Sequence, residues 1–460
     1  MNMSLFRRKI DRPEVEEAIS DVNVQQFNPY IDQLVEHYKS RLLTETNLET
    51  LISLAEGEKR LTIERLINQF LSEEKVVIPR TDKELLLTRL IDESVGFGPL
   101  EPFLKDDEIT EILVNGPDEV FIEKSGRLEK AGVKFRDESH VRHIIDRIVA
   151  PLGRRIDESS PMVDARLPDG SRVNAVIPPI SLNGTLISIR KFRKVPFEMV
   201  DLVENGTLTE EMSLFLEALV QVKMNILISG GTGSGKTTLL NAVAKAIPEY
   251  ERVITIEDSA ELRLNRASVV GLEARPPNVE GRGDVTIRQL VKNALRMRPD
   301  RIIVGEVRAS EAFDMLQAMN TGHEGSLTTV HANSPADAIN RVEGMVVMAG
   351  MDLPTHIIRE YIVGALDYII QADRLSDGTR RITNISEVYV DENNKIQVHD
   401  IFRFQRTGIN SKGQIQGIFT ATGTIPKCLE RFTINGIQMD PAIFEPKGGI
   451  VYEYSSVHPV

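Results

Sequence analysis

Residues 225–243, NILISGGTGSGKTTLLNAV, decide how the rest of the sequence is interpreted. An apolar run that is predicted as a strand ends at Gly230, and Gly235, Lys236 and Thr237 complete the spacing G-x-x-x-x-G-K-S/T. Glycines let a loop wrap closely around phosphate oxygens, and the backbone N–H groups and the positive end of the following helix suit a polyphosphate. The stretch therefore predicts a strand, a phosphate-binding loop and a helix within an α/β domain.

This loop is the predicted site of ATP. Lys236 would reach the β- and γ-phosphates, and the hydroxyl of Thr237 would ligate Mg²⁺. The residues expected to contact the nucleotide are Gly230, Gly231, Thr232, Gly233, Ser234, Gly235, Lys236, Thr237 and Thr238.

Apolar runs and helical segments alternate from about residue 207 onward. The runs NILIS, RVITIE, IIVGE and SLTTVHA are predicted strands, and their alternation with helices predicts a parallel sheet with helices on its faces. Apolar stripes at helical spacing precede them, for example Ile31, Leu34, Val35, Tyr38 and Leu42. We therefore expect an N-terminal helical region (1–92), an α/β domain (93–193), a linker (194–206), the ATPase domain (207–400) and a separate, turn-rich C-terminal extension (401–460).

Two acidic residues are candidates for handling water and metal. Glu306 ends the predicted strand in RPDRIIVGEVR, one residue later than the usual acid because Gly305 follows the apolar run directly. That shift favours Glu306 as the group that orients or deprotonates the attacking water. Glu257, in VITIEDSAEL, ends another strand and is the alternative base, or a Mg²⁺ ligand that acts partly through water.

The segment GHEGSLTTVHANS, residues 322–334, contains two histidines and raises the question of a metal site. His323 and His331 flank a predicted strand, which would hold them up to ~25 Å apart. The spacing therefore disfavours a shared metal. His331 would leave the same sheet edge as Glu306, so contact with the γ-phosphate is the better functional interpretation, beside a purely structural, hydrogen-bonded role.

Composition narrows the function classes. The net charge of −13, the aromatic content of 5% and the absence of Trp disfavour a nucleic-acid translocase. The single cysteine, Cys428, fits a reducing compartment. No apolar run approaches the ~20 residues of a membrane span, and no signal peptide opens the chain, so a cytoplasmic location is expected. A small-molecule kinase would also have a P-loop, but no Arg-rich lid follows the loop.

With these motifs in this order, the sequence resembles the type II/type IV secretion ATPases. GGTGSGKTT resembles the Walker A motif of that family, ITIEDSAEL its Asp box, RPDRIIVGEVR its atypical Walker B motif, and TGHEGSLTTVHANSP its His box. The segments FGPLEPFLKDDEITEILVNG and IFTATGTIPKCLERF are similar to the CpaF/TadA-type branch, the assembly ATPases of tight-adherence (Tad, or Flp) pili.

The resemblance implies a RecA-like P-loop NTPase motor domain, preceded by a smaller α/β (PAS-like) domain and an N-terminal helical bundle. It implies a homo-hexamer that binds ATP and Mg²⁺ and works on an inner-membrane pilus platform protein, so that membrane association is peripheral and no nucleic acid is expected. Arg172 and Arg190 match family positions that contact phosphates, and Arg166 is a weaker candidate. A conjugation or type IV export ATPase is the alternative function.

Overall fold

The computed structural model describes residues 29–46, 51, 54, 56–124, 126–192, 196–264, 266–277, 282–350, 353–391, 395–411, 413–446 and 450–451. They form two compact units that divide between residues 192 and 193. Residues 1–28 lie outside the described residues, and so do residues 194 and 195 at the start of the expected linker.

Three helices open the first unit: α1 (Pro29–Glu45), α2 (Glu56–Glu73) and α3 (Arg80–Ser94). The stripe predicted from the sequence is largely buried, with Ile31 and Tyr38 fully enclosed, and it packs against Ile67 and Phe70 of α2 and Leu86 of α3 in one cluster. The predicted helices are therefore confirmed, and their apolar faces pack on one another.

The rest of the first unit is a six-stranded antiparallel sheet in the order β3-β2-β1-β6-β5-β4. The helix Glu138–Val149 covers one face with Val141 and Ile144, which cluster with Ile112 and Ile189 of the sheet. The elements are α4 (Glu101–Lys105), β1 (Ile109–Asn115), β2 (Val120–Lys124), β3 (Arg127–Lys130), α5 (Glu138–Val149), β4 (Met162–Arg166), β5 (Arg172–Val176) and β6 (Leu186–Arg190).

Glu93 joins the helical bundle to the α/β part of this unit. Its Oε2 lies 2.8 Å from Nζ of Lys39 on α1 and 3.2 Å from Nε2 of His140 on α5. Burial raises the pKa of Glu93, but the contacts with His140 and Lys39 outweigh burial and lower the pKa to about 2. Glu93 is therefore an ionised link between three helices.

The second unit is built on a ten-stranded sheet in the order β16-β15-β14-β13-β12-β7-β11-β10-β8-β9. One part of the sheet is parallel and consists of β12, β7, β11, β10, β8 and β9. The other part is antiparallel and consists of β12, β13, β14, β15 and β16. The strands are β7 (Ile226–Gly230), β8 (Val253–Glu257), β9 (Val269–Glu273), β10 (Arg301–Val307), β11 (Leu327–Val330), β12 (Tyr368–Arg374), β13 (Arg380–Val390), β14 (Ile396–Ile409), β15 (Ile415–Ala421) and β16 (Ile450–Val451).

Helices on both faces bury this sheet. Strands β7, β8 and β11 are buried at every position, as a parallel sheet covered on two sides requires. The helices are α6 (Met199–Glu204), α7 (Glu210–Gln221), α8 (Lys236–Ala244), α9 (Ile287–Ala294), α10 (Glu311–Asn320), α11 (Pro335–Met348), α12 (Thr355–Ala365) and α13 (Leu429–Ile434). The predicted α/β alternation is confirmed, and β11 lies between the P-loop strand β7 and the Glu306 strand β10.

A buried ion pair lies at the amino-terminal end of β10, whereas the P-loop follows the carboxyl end of β7. Arg301 is fully buried; its Nη2 lies 3.2 Å from Oε1 of Glu251, and its Nη1 donates to the Val220 carbonyl at 2.7 Å. A guanidinium with no access to water needs such partners. Arg301 therefore ties the start of β10 to the chain before β8.

The C-terminal segment differs from the expected turn-rich extension. Strand β14 crosses residue 400 and pairs with β13 and then with β15, so residues 396–421 continue the sheet. Phe432 and Phe444 pack on Phe215 of α7 at ring distances of 6.1 and 5.3 Å. The strand was missed because only Ile401 and Phe402 are buried among its 14 residues, and such a strand lacks the alternation by which half-buried strands are recognised.

Candidate nucleotide site

The predicted loop links β7 to α8 and has the backbone that the motif requires. Gly233 and Gly235 have φ values of +68° and +94°, which favour glycine. A Cβ on Gly230 would lie 2.1 Å from the Ala372 carbonyl oxygen of β12, so a side chain cannot fit there. The strand, the loop and the helix of the sequence prediction are therefore all present.

Lys236 begins α8 and is directed back over its own loop. Its Nζ donates to the carbonyls of Gly230 and Gly231 at 3.0 and 2.9 Å, and lies 3.4 Å from Nδ1 of His331. The pKa of His331 is lowered, chiefly by burial and then by the positive charge of Lys236. The imidazole is therefore neutral at pH 7. It lies beside the loop, as its position after β11 predicts.

Glu306 lies on the other side of His331. Its Oε1 is 3.0 Å from Nε2 of His331, without the alignment of a hydrogen bond, and its Oε2 accepts a hydrogen bond from Nη2 of Arg308 at 2.7 Å. Nη1 of Arg308 also lies 3.4 Å from Asp258. Charges of alternating sign thus run from Lys236 past His331 to Glu306 and Arg308 along the carboxyl ends of the parallel strands, where α/β sheets bind ligands.

The geometry explains why glycine precedes Glu306. Glu257 ends β8, is almost fully buried, and accepts hydrogen bonds at Oε2 from the N–H groups of Glu261 and Leu262 at 2.8 and 3.0 Å. A Cβ on Gly305 would lie 3.0 Å from Cγ of Glu257. Gly305 therefore leaves the space that the Glu257 side chain takes, and the two acids lie on neighbouring strands.

His323 is separate from this group. It precedes β11, and its Nδ1 lies 3.3 Å from the Ala318 carbonyl, whereas His331 follows the strand. Among the residues that the structure describes, no group of three or more His, Cys, Asp or Glu side chains is arranged to hold a metal ion.

The arginines expected in the first unit form a row. Arg166 is opposite Arg172, Arg172 is opposite Arg190, and Arg190 is opposite Glu111, in four neighbouring strands. Residues directly opposite one another project from the same face of a sheet. The next residue along β5, Val173, is buried in the core, so the row lies on the face that α5 does not cover.

Two basic residues beside the loop were missed by sequence reasoning. Arg380, at the start of β13, donates from Nε to the Gly233 carbonyl at 2.9 Å. Arg374, at the end of β12, has Nη1 3.5 Å from the position of a Cβ on Gly233. Neither lies in a recognised motif; the only sequence signal is a pair of arginines bounding a short hairpin.

Comparison with known proteins gives the family of this chain. The family described as "Type II/IV secretion system protein" matches residues 93–411. The chain belongs to this family. The α/β fold class is confirmed, with a RecA-like P-loop motor domain that follows a smaller α/β domain and a helical bundle.

The alignments of this secretion protein with the two relatives below cover most of each relative's length. A protein of Mycobacterium tuberculosis (strain CDC 1551 / Oshkosh) whose name assigns it to conjugal transfer is 39% identical over 313 residues, 66% of this chain and 88% of the relative. VirB11, a type IV secretion system protein of Brucella suis biovar 1 (strain 1330), is 36% identical over 347 residues, 68% of this chain and 94% of VirB11. The crystal structure of the Brucella suis VirB11 ATPase with sulphate has 33% identity and a TM-score of 0.35, and the match covers 65% of this chain and 94% of that one.

Within the described ranges, no helix combines the length and the apolar character needed to cross a bilayer.

Proposed function

We propose that this secretion-family protein is a Mg²⁺-dependent ATPase whose P-loop binds ATP and whose Glu306 orients or deprotonates the attacking water. The observation that carries the proposal is the juxtaposition of Lys236, His331 and Glu306, with contacts of 3.4 and 3.0 Å, at the carboxyl edge of the sheet. In-line attack of water on a γ-phosphate uses a cation at the phosphates and a group that orients or deprotonates the water, and a neutral imidazole beside them can form a hydrogen bond with the terminal phosphate.

Each residue then has a distinct task. The loop N–H groups hold the phosphates, the Lys236 ammonium offsets the charge on the β- and γ-phosphates, and His331 faces the terminal phosphate as a neutral hydrogen-bonding group. Glu306 lies between His331 and Arg308, and these two contacts fix the direction of its carboxylate. If Glu306 is not the base, Glu257 is the other candidate.

The oxygen groups near the loop fit Mg²⁺. The Thr237 hydroxyl is in the first turn of α8, and the buried Glu257 carboxylate ends β8 near Gly305. Mg²⁺ prefers oxygen ligands and keeps several waters, which suits one hydroxyl and one carboxylate that acts partly through water. When bound, the metal would neutralise charge that develops on the phosphates.

The arginine row supports a role for the first unit in catalysis. Arg166, Arg172 and Arg190 lie directly opposite one another on one face of the sheet, and Glu111 is 3.2 Å from Arg190. Several guanidinium groups on one face suit a phosphate, because each can bind two oxygens at once. We propose that Arg172 and Arg190 are brought to the ATP phosphates within a homo-hexamer, and that ATP binding closes the domains and hydrolysis releases them.

A matched pair of variants tests the arginine row. Arg190→Ala should lower kcat by about 10³-fold or more and abolish nucleotide-driven closure, measured by small-angle scattering with a non-hydrolysable nucleotide. Arg127→Ala removes an exposed arginine from β3 of the same sheet and should change neither. An Arg190→Ala protein with full hydrolysis and normal closure would defeat the proposal.

The biological task that we propose is assembly of a Tad/Flp pilus through an inner-membrane platform protein, with the ATPase peripheral at the cytoplasmic face. Support comes from the segment IFTATGTIPKCLERF, which resembles the pilus branch and lies beyond the family match that ends at residue 411. Its Phe432 is buried against Phe215, so the segment is part of the motor core. Retraction of the same pilus is a further task open to such a motor.

The relatives favour a second candidate, an ATPase for type IV export or conjugation, because the names of two relatives refer to conjugal transfer and type IV secretion. A Lys236→Ala strain separates the two functions. Loss of surface pili seen by electron microscopy, with DNA transfer unchanged, supports pilus assembly. Retained pili with lost transfer or secretion supports export. Neighbouring genes for a prepilin and a polytopic membrane protein would also favour the pilus.

A further inference from the structure

The hairpin between β12 and β13 lies against the outer side of the phosphate loop. Nε of Arg380 donates to the Gly233 carbonyl at 2.9 Å, and Cδ of the same side chain would lie 3.4 Å from a Cβ on Gly235. The Arg380 side chain therefore lies along the loop from Gly233, in its middle, to Gly235, just before α8. No motif recognised in the sequence includes this arginine.

The contact determines which way one peptide group of the loop faces. A peptide unit is planar and trans, so its C=O and N–H point in opposite directions. Because the Gly233 carbonyl points outward to Arg380, the N–H of Ser234 points inward, where it is 3.4 Å from the Gly231 carbonyl, a long hydrogen bond. Inward N–H groups of this loop are those that cradle α- and β-phosphates.

We propose that Arg380 is a positioning residue for nucleotide binding: it holds the Gly233–Ser234 peptide so that the Ser234 N–H is preoriented toward the β-phosphate. This inference rests on the proposed function, because it assumes that the loop binds ATP. A charged donor is suited to the task, since it holds and polarises the peptide more strongly than a neutral donor does.

Hydrogen bonds hold the hairpin in place, so the backbone of Arg380 has a fixed position. The Asp377 carboxylate accepts from the N–H and hydroxyl of Thr379 at 3.0 and 2.7 Å, and from the N–H of Ile415 on β15 at 2.7 Å. A side chain that orients a binding group works only if its own support is rigid. Asp377 supplies that support by connecting the hairpin to the strand beyond it.

The test measures nucleotide affinity and turnover for the full chain with Arg380→Ala, Arg380→Lys and the control Arg406→Ala, an exposed arginine of β14. Calorimetric titration with ADP and with ATP plus Mg²⁺ should show affinity about tenfold or more weaker for both nucleotides by the same factor in Arg380→Ala. The kcat at saturating ATP should stay within about threefold. Arg406→Ala should match the parent.

The Lys variant distinguishes positioning from charge. Lysine keeps the positive charge but lacks the Nε donor, so it should recover little of the lost affinity. Full recovery by lysine, unchanged affinity in Arg380→Ala, or a loss confined to ATP would each overturn the inference. If Arg380→Ala does not fold, as judged by its thermal transition, the Lys variant alone carries the test.

The Lys236→Ala variant distinguishes a failure of the proposed function from a failure of the inference about Arg380. If the proposed function fails, Lys236→Ala would bind and hydrolyse ATP like the parent. If Lys236→Ala loses nucleotide binding while Arg380→Ala keeps it, only the inference about Arg380 fails.

Discussion

Replacing Glu306 by glutamine tests the assignment of the base with the smallest change in shape. The substitution keeps the size of the side chain but removes its negative charge, and with it the ion pair to Arg308 at 2.7 Å and the charge beside the neutral His331 ring, whose Nε2 is 3.0 Å away. An amide cannot take a proton from water. If Glu306 is the base, Glu306→Gln binds ATP but hydrolyses it slowly.

The magnitudes separate a catalytic effect from a structural one. General-base catalysis contributes ~10²–10⁴-fold in rate, so kcat should fall by at least about 100-fold. The lost contacts contribute little to stability, because the Arg308 side chain is 58% exposed and such ion pairs contribute about 0–1 kcal/mol. The free energy of unfolding should therefore change by no more than ~1 kcal/mol while turnover collapses.

The assay is phosphate release at saturating ATP, with ATP affinity measured by titration. The control is Glu343→Gln: Glu343 pairs with Arg359 at 3.0 and 3.2 Å and is 18% exposed, against 19% for Glu306, but it is on α11. It should lose similar stability and no activity. A Glu306→Gln protein with a rate within threefold of the parent refutes the reasoning and transfers the base role to Glu257.

Two further predictions concern stability. Arg301→Met leaves the buried Glu251 carboxylate with the more distant Lys223, 3.8 Å away, and should cost about 3–5 kcal/mol in denaturant unfolding of the second unit, and a cost below ~1 kcal/mol would contradict the buried ion pair. The pKa of Glu93, lowered to about 2, makes its contribution to stability full above its unfolded pKa of about 4.3 and progressively lost as pH falls toward 2. Glu93→Gln should therefore flatten the pH dependence of unfolding of the first unit between pH 5 and 2, whereas an unchanged slope would assign that dependence to other carboxyl groups.

Local patterns in the sequence predict those parts of the structure that local spacing determines. The loop at Gly230–Thr237, the buried strands around it and the helical stripes of the N-terminal bundle follow from spacing and periodicity alone. The order of strand ends along the sheet then brings His331 and Glu306 together, because parallel strands place their carboxyl ends at one edge.

What the sequence did not reveal depends on contacts between distant positions. Arg380 meets Gly233 across 147 residues, and no local pattern marks that pairing. The reason for Gly305 is likewise a side chain on a neighbouring strand, Glu257. The alignment of Arg166, Arg172 and Arg190 in one row follows from strand register, which hairpin lengths alone do not give.

The most direct test is a structure of the full chain with a non-hydrolysable ATP analogue and Mg²⁺. We expect the β- and γ-phosphates inside the loop formed by residues 230–237, with Lys236 moved from its own carbonyls to the phosphates and Glu306 facing the terminal phosphate. A triphosphate bound elsewhere, with Lys236, Arg172 and Arg190 all remote from it, would contradict the account.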